Sequence, residues 1–115
     1  MDEILNRIAA ETGLSTDAAR QAIGHILAYM QAEGTDPAVG QMLEATPGAS
    51  EALAASGEAG PGGIMGLGSK LMGLGLDMGQ MRLVATELVA FAKTHAGAET
   101  VDRVIATTPG LAQFA

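Results

Sequence analysis

The sequence predicts an all-α fold, a single compact helical domain that covers residues 1–115. Three observations support this prediction. Apolar residues recur at helical spacing along most of the chain. Ser, Thr and Asp residues stand where helices would begin. Residues 13–49 also align with residues 75–111 at an offset of 62 without a gap, and such internal similarity is typical of a repeated structural unit.

The alignment between the two stretches is supported by identical residues and by apolar positions that match in phase. It ends on the same motif, Thr46-Pro47-Gly48 in the first stretch and Thr108-Pro109-Gly110 in the second. We therefore expect two duplicated helical units with a pseudo-two-fold relation, at 13–55 and 75–115, separated by a Gly/Met-rich linker at 56–75. The other identical pairs are Gly13 and Gly75, Leu14 and Leu76, Arg20 and Arg82, Ala28 and Ala90, and Val39 and Val101.

Two helices are expected at the start of the chain. The first spans roughly residues 2–12. The second runs from Thr16 to Glu33, with Ser15 or Thr16 as its N-cap and Gly34 at its end. The apolar positions of these two helices are Ile4, Leu5, Ile8, Ala19, Ile23, Ile26, Leu27 and Met30.

A short helix should follow in the first unit, because Asp36 is a good N-cap and Pro37 suits the first helical position. Its inward residues are Val39, Met42 and Leu43. Thr46-Pro47 repeats the cap-plus-proline pattern, which indicates either a further short helix at about 47–55 or a tight turn at Pro-Gly.

The second unit shows the same order of signals. Asp77 with Gln80 three residues later predicts a capping box, and this long helix should end near Gly97. A short helix is expected from Glu99 to Ala106, and a further element at about 110–114. The inward residues are Met81, Val84, Leu88, Phe91, Val101, Val104 and Ile105.

The middle of the chain combines helical spacing with many glycines. Residues 56–63 have the composition of a flexible linker. From Ile64 onward the apolar residues keep a helical period, although each interior glycine costs a helix about 1 kcal/mol. Tertiary packing must support this helix if it forms, and its glycines would then let two backbones approach closely. The periodic residues are Ile64, Leu67, Leu71 and Leu74, and the glycines among them are Gly66, Gly68, Gly73 and Gly75.

The candidate binding residues lie in this segment and just after it. A Met-rich apolar surface suits adaptable binding of a partner helix or a lipid. The same side chains could instead fill a groove between the two units. A membrane-surface role is disfavoured because it needs a basic face, and Lys70 is the one Lys or Arg between Arg20 and Arg82. The candidates are Met65, Leu67, Leu71, Met72, Met78 and Met81.

Polar residues form no pattern that indicates chemistry, so we predict no catalytic, cofactor-binding or metal residues and no enzyme. His25 and His95 have no partner at metal-ligand spacing and are expected on the surface. Arg20 and Arg82 occupy equivalent positions in the two units. They could share a contact with an anion or with a carboxylate of a partner, although a symmetric structural salt bridge or a solvated helix face is favoured.

Charge and composition exclude several classes of partner and location. Six basic and 13 acidic residues give a net charge of −7, and the basic residues are scattered, which disfavours nucleic acid binding. The chain has no cysteine, and neither a secretory signal nor an apolar run of about 20 residues is recognised in it. We therefore expect a cytoplasmic protein.

The overall pattern resembles bacterial all-helical proteins of the VcgC/VcgE-like group, which are domains of unknown function. The resemblance rests on Gly13-Leu14, Ile26-Leu27, Gly75-Leu76, the two Thr-Pro-Gly motifs and the glycine tract at 60–75. It implies an all-helical fold and a bacterial origin, and it transfers no active residue.

The function expected from the sequence is that of a small non-catalytic interaction protein, with a protein partner or with self-association as a homodimer. The alternative is a carrier of an apolar ligand or lipid in a Met-lined cavity between the repeats.

Overall fold

Helices account for the regular structure of residues 1–113, the part of the chain that the computed structural model describes, and no strand occurs in this range. The all-α prediction is therefore confirmed. The Cα radius of gyration of 12.4 Å is that of a compact globule of this length. The elements are α1 (Asp2–Thr12), α2 (Thr16–Glu33), α3 (Ala38–Ala45), α4 (Ala49–Ser56), α5 (Gly63–Gly73), α6 (Met78–Ala96), α7 (Ala98–Thr107) and a 3₁₀ helix (Leu111–Gln113).

The two long helices begin at the predicted caps. The Ser15 hydroxyl accepts a hydrogen bond from the Ala18 N–H at 3.1 Å, which satisfies a free donor of the first turn of α2. The Asp77 carboxylate accepts from the Gln80 N–H at 2.8 Å, and the Gln80 side chain accepts in return from the Asp77 N–H at 3.0 Å. The predicted capping box of α6 is confirmed.

The short elements differ from the predictions by one or two residues. Helix α3 starts at Ala38, and the Asp36 carboxylate accepts from the Ala38 N–H at 2.8 Å. For residues 47–55 the sequence left open a short helix or a tight turn, and the structure has both, since a turn at Pro47-Gly48 precedes α4. Of the element predicted at 110–114, the 3₁₀ helix covers Leu111–Gln113, and position 114 lies outside the described residues.

Helix α2 forms the centre of the core. Helices α1, α4, α5 and α6 all pack against it, while α3 and α6 pack against α7. The predicted apolar stripe of α2 is buried, and so are Ala22, Ala28 and Tyr29 outside that stripe. More of the helix circumference is therefore covered than one amphipathic stripe predicts, because neighbours approach it from several sides.

A glycine does let two helix backbones approach closely, but this glycine is Gly24 of α2 rather than one in the middle segment. A Cβ atom on Gly24 would lie 2.0 Å from the carbonyl oxygen of Ala52, so α4 lies directly on the α2 backbone. The expected role of the middle glycines in close packing is wrong for Gly68, Gly73 and Gly75, which face open space. It holds only for Gly66, whose Cβ would lie 2.2 Å from the Pro61 carbonyl oxygen in the preceding loop.

The Thr-Pro-Gly turns are built alike. The Thr46 hydroxyl donates to the Met42 carbonyl and the Thr108 hydroxyl to the Val104 carbonyl, each at 2.6 Å. These two threonines are the buried polar residues of the described chain. Because each hydroxyl bonds a carbonyl of the last helical turn, its burial leaves no unsatisfied donor.

Candidate interaction surface

Helix α5 forms in spite of its glycines because tertiary packing supports it. Leu67 and Leu71 are buried, and Ile64 and Leu74 are half-buried. The helix packs against α2, and removing two leucine side chains from water stabilises it by roughly 1.5–3 kcal/mol each. This gain offsets the low helix propensity of the glycines.

The opposite face of α5 forms one side of an open groove. The side chains of Met65 and Met72 point away from the core, and Met78, the first residue of α6, forms the other side. The groove has a volume of about 270 Å³. We call it the methionine groove, and it is lined by Ile64, Met65, Gly68, Ser69, Met72, Met78 and Met81.

Three methionines of this groove are unusually exposed for apolar side chains. Met65 is 78% exposed, and Met72 and Met78 are each 61% exposed. They are the large hydrophobic residues that the structure leaves exposed among the described residues. Adjacent exposed apolar side chains are typical of a contact surface, and the flexible thioether chain adapts to partners of different shape.

The six candidate residues divide between the groove and the core. Met65, Met72 and Met78 are exposed, as the partner-surface interpretation requires, whereas Leu67, Leu71 and Met81 are 5%, 1% and 1% exposed. Leu67 and Leu71 are core residues on the inner face of α5. Met81 is buried at the base of the groove. The partner-surface interpretation therefore describes the three exposed methionines, and the interpretation as buried packing describes the other three residues.

Sequence reasoning missed three lining residues, namely Ile64, Gly68 and Ser69. Helical spacing contained the signal for two of them. Residues i+3, i+4 and i+7 share a helix face with residue i, so that Gly68, Ser69 and Met72 follow from Met65.

The lining of the methionine groove contains no ionisable side chain. Lys70, which lies on the same helix, is turned toward the preceding loop, where its ammonium group donates a hydrogen bond to the Glu58 carbonyl at 3.0 Å. The groove is thus an uncharged surface on a chain with a net charge of −7.

The prediction that both histidines lie on the surface is only partly right for His25, which is half-buried. Its Nδ1 atom is buried and has no hydrogen-bond partner among the described residues. Burial of the ring lowers the pKa of His25 below its ordinary value of 6.5, and the positive charge of Lys70 lowers it further. His95 is exposed as predicted, and its ring lies 4.5 Å from that of Phe91.

The two equivalent arginines do not converge on one site. Arg20 pairs with Asp17 of its own helix at 3.2 Å. Arg82 is exposed and forms no ion pair within residues 1–113. A salt bridge between elements is found instead between Arg7 of α1 and Glu87 of α6, at 2.7 Å. Arg20 therefore matches the structural ion-pair interpretation and Arg82 the solvated-face interpretation.

A second depression, of about 600 Å³, lies between α2 and α4. Its lining consists mostly of small side chains, which offer a partner little to anchor on. It also includes the polar residues Gln31 and Glu58. The methionine groove is the better candidate because large exposed apolar side chains surround it.

Groups with perturbed pKa values do not assemble into a site. Burial raises the pKa of Tyr29 above its ordinary value of 10.0, and the negative charge of Glu33 adds to this effect. Tyr29 and His25 are one turn apart on α2, but Tyr29 bonds Pro109 whereas His25 is influenced by Lys70. No group of three or more His, Cys, Asp or Glu side chains suited to a metal ion occurs among the described residues.

Within the described part of the chain, no helix has both the length and the apolar character needed to cross a bilayer. Comparisons with protein-family models, with curated proteins and with solved structures find no match for this chain.

Proposed function

We propose that the chain is a small non-catalytic interaction protein that self-associates through the methionine groove. The observation that carries the proposal is the exposure of three neighbouring methionines, Met65, Met72 and Met78, around one groove. Exposed apolar side chains gain free energy when a second surface removes them from water, at roughly 25 cal/mol per Å² of apolar area.

A second copy of the chain is the occupant that the charges favour. Two copies, each with a net charge of −7, repel one another when charged faces meet. Contact through the methionine groove brings uncharged side chains together and keeps the acidic residues in solvent. Flexible methionines also make a surface complementary to itself, as the isologous interface of a two-fold dimer requires.

The size of the groove indicates weak association. Seven residues line it, whereas a stable interface uses about 20–30 residues on each side. We therefore expect dimers that form and dissociate with protein concentration rather than an obligate dimer.

Sedimentation velocity over a wide range of protein concentration tests the proposal. The sedimentation coefficient should rise with concentration for the native chain. It should stay at the monomer value for the double variant Met65→Gln/Met72→Gln, because the amide replaces an apolar group while helix propensity is kept. A monomer at every concentration would contradict the proposal.

The matched control is Ala10→Gln/Ala106→Gln, which adds two glutamines at exposed helical positions outside the groove. This variant should associate as the native chain does. Equal loss of association in both double variants would show that surface polarity, rather than the groove, controls the behaviour.

The alternative function is a carrier of an apolar ligand or lipid. The apolar lining of the groove supports it, but a volume of about 270 Å³ is small beside the roughly 300–1,000 Å³ of typical ligand pockets. With Met65 78% exposed, the groove would also leave a ligand open to water. Native mass spectrometry of gently purified protein would detect a bound ligand, and an unliganded mass would contradict this alternative.

The internal duplication also belongs to the proposal. The offset of 62 carries Asp2–Thr12 onto 64–74, and α5 spans Gly63–Gly73. The order α1, α2, α3 and α4 thus corresponds to α5, α6, α7 and the 3₁₀ helix. The matching Thr46 and Thr108 hydrogen bonds support the same correspondence. If the duplication includes α5, this helix is the counterpart of α1 and is not part of a linker between the two units.

The relationship to the VcgC/VcgE-like group, the bacterial origin and the cytoplasmic location stay predictions from the sequence.

A further inference from the structure

The methionine groove places oxidisable sulfur atoms in contact with solvent. The thioether of an exposed methionine reacts with hydroperoxides to give methionine sulfoxide, and susceptibility follows exposure. No cysteine competes for the oxidant in this chain, and no tryptophan is present. The exposed methionines are therefore the side chains that a peroxide reaches first.

Burial separates these methionines from others in the same chain. Met65, Met72 and Met78 are between 61% and 78% exposed, whereas Met30, Met42 and Met81 are each 1% exposed. The buried side chains pack in the core and cannot meet an oxidant without local opening. Oxidation of the exposed methionines can thus be compared with oxidation of the buried ones in the same chain.

We propose that Met65, Met72 and Met78 form an oxidation site that converts the methionine groove from an apolar to a polar surface. At each residue a lone pair of Sδ attacks one oxygen of the hydroperoxide, an S–O bond forms and the O–O bond breaks. The thioether loses two electrons, and the leaving oxygen takes up the proton that the sulfur-bound oxygen releases. With hydrogen peroxide the products are the sulfoxide and water, so atoms and electrons balance.

The fold should survive this change because the oxidised side chains lie outside the core. Helix α5 is held by Leu67 and Leu71, which peroxide does not modify, and the base of the groove is the buried Met81. Sulfoxide is polar, so its formation opposes burial of the groove against a second surface. Because methionine sulfoxide is reduced back by specific reductases, the change is reversible.

The consequence for association rests on the proposed function: oxidation at the three sites should shift the chain to the monomer. The oxidation site itself is tested separately, by mass spectrometry of proteolytic peptides after graded hydrogen peroxide treatment and by hydrophobic interaction chromatography. We expect three oxygen atoms per chain on Met65, Met72 and Met78 before any appears on Met30, Met42 or Met81. Retention on the hydrophobic column should fall, and the far-ultraviolet circular dichroism should be unchanged.

The matched control is the triple variant Met65→Leu/Met72→Leu/Met78→Leu, which keeps the surface apolar and removes its sulfur. Its retention should not change at the peroxide dose that shifts the native chain. Oxidation of the buried methionines at the same rate as Met65, or unfolding on oxidation of the exposed three, would overturn the proposal.

The two proposals fail in different ways. An untreated chain that stays monomeric refutes self-association and leaves the mass-spectrometric and chromatographic results to decide on the oxidation site. An untreated chain that dimerises, and still dimerises when all three sites are oxidised, refutes the oxidation switch alone.

Discussion

The Tyr29 hydroxyl donates a hydrogen bond to the Pro109 carbonyl, 80 residues later in the chain. This bond ties the central helix α2 to the second Thr-Pro-Gly turn, and the Thr35 hydroxyl adds a bond to the Thr107 carbonyl at 3.3 Å. Phe91, which aligns with Tyr29 at the offset of 62, has no hydroxyl, so the bond has no counterpart in the first turn. The two turns share the threonine hydroxyl bond and are anchored differently.

Removing that hydroxyl should destabilise the fold. Tyr29→Phe keeps the buried ring and removes the donor to the carbonyl of Pro109, an exposed residue whose carbonyl water can then reach, so the loss should be about 0.5–1.5 kcal/mol. Urea denaturation followed by circular dichroism measures the change in the free energy of unfolding. A midpoint equal to that of the native chain would show that the bond contributes nothing to stability.

His25 should make stability depend on pH. Its lowered pKa means that the folded state favours the neutral ring, so this contribution is fully present above pH 6.5 and is lost as the pH falls through the folded-state pKa. Urea denaturation at a series of pH values between 8 and 5 should show stability falling toward the acid end. The variant His25→Gln should lose part of this dependence.

His95→Gln is the matched control for His25, because His95 is exposed on α6. It should retain the pH dependence of the native chain. If both variants behaved alike, the acid sensitivity would come from groups other than His25.

Gly24 should tolerate no larger residue. An alanine Cβ would lie 2.0 Å from the Ala52 carbonyl oxygen and 2.7 Å from the Ser56 Cβ, so α4 must move away from α2. Overpacking of this kind costs about 1–3 kcal/mol or more. Thermal and urea denaturation of Gly24→Ala should both show a loss of stability.

Gly40→Ala is the matched control, since a Cβ at Gly40 meets no atom within 4 Å. Alanine is the better helix former by up to about 1 kcal/mol, so this variant should be at least as stable as the native chain. A Gly24→Ala variant that was equally stable would contradict the close contact between α2 and α4.

The two buried threonines should differ in the cost of losing their hydroxyl groups. The Met42 carbonyl accepts both the Thr46 hydroxyl and the Thr46 backbone N–H, the latter at 3.0 Å. Among the described residues the Val104 carbonyl accepts the Thr108 hydroxyl without a bond from the Thr108 N–H. Thr108→Val should therefore cost about 1–3 kcal/mol and Thr46→Val about 0.5–1.5 kcal/mol. Urea denaturation of both variants checks the order, and a larger loss for Thr46→Val would contradict it.

Local signals predicted the helix boundaries well because capping and periodicity act over a few residues. Ser15 and Asp77 cap the two long helices through hydrogen bonds within the first turn, so a sequence window contains both partners. The stripe from Ala19 to Met30 is buried because one face of a helix recurs every three to four residues. The hydrogen bond from Tyr29 to Pro109 joins residues 80 positions apart, so a pattern of neighbouring residues cannot predict it.

The sequence by itself determined that the chain is helical, where most helices begin and end, and that methionines concentrate near residues 65–81. Only the tertiary structure decided which of those residues face outward. Leu67 belongs to the periodic apolar stripe and Met65 does not, but both side chains are apolar, so hydropathy does not say which of the two faces of α5 is turned to the core. Packing against α2 does, because it buries Leu67 and Leu71 and leaves Met65 and Met72 exposed. Burial depends on what lies opposite a side chain, and that neighbour is distant in sequence.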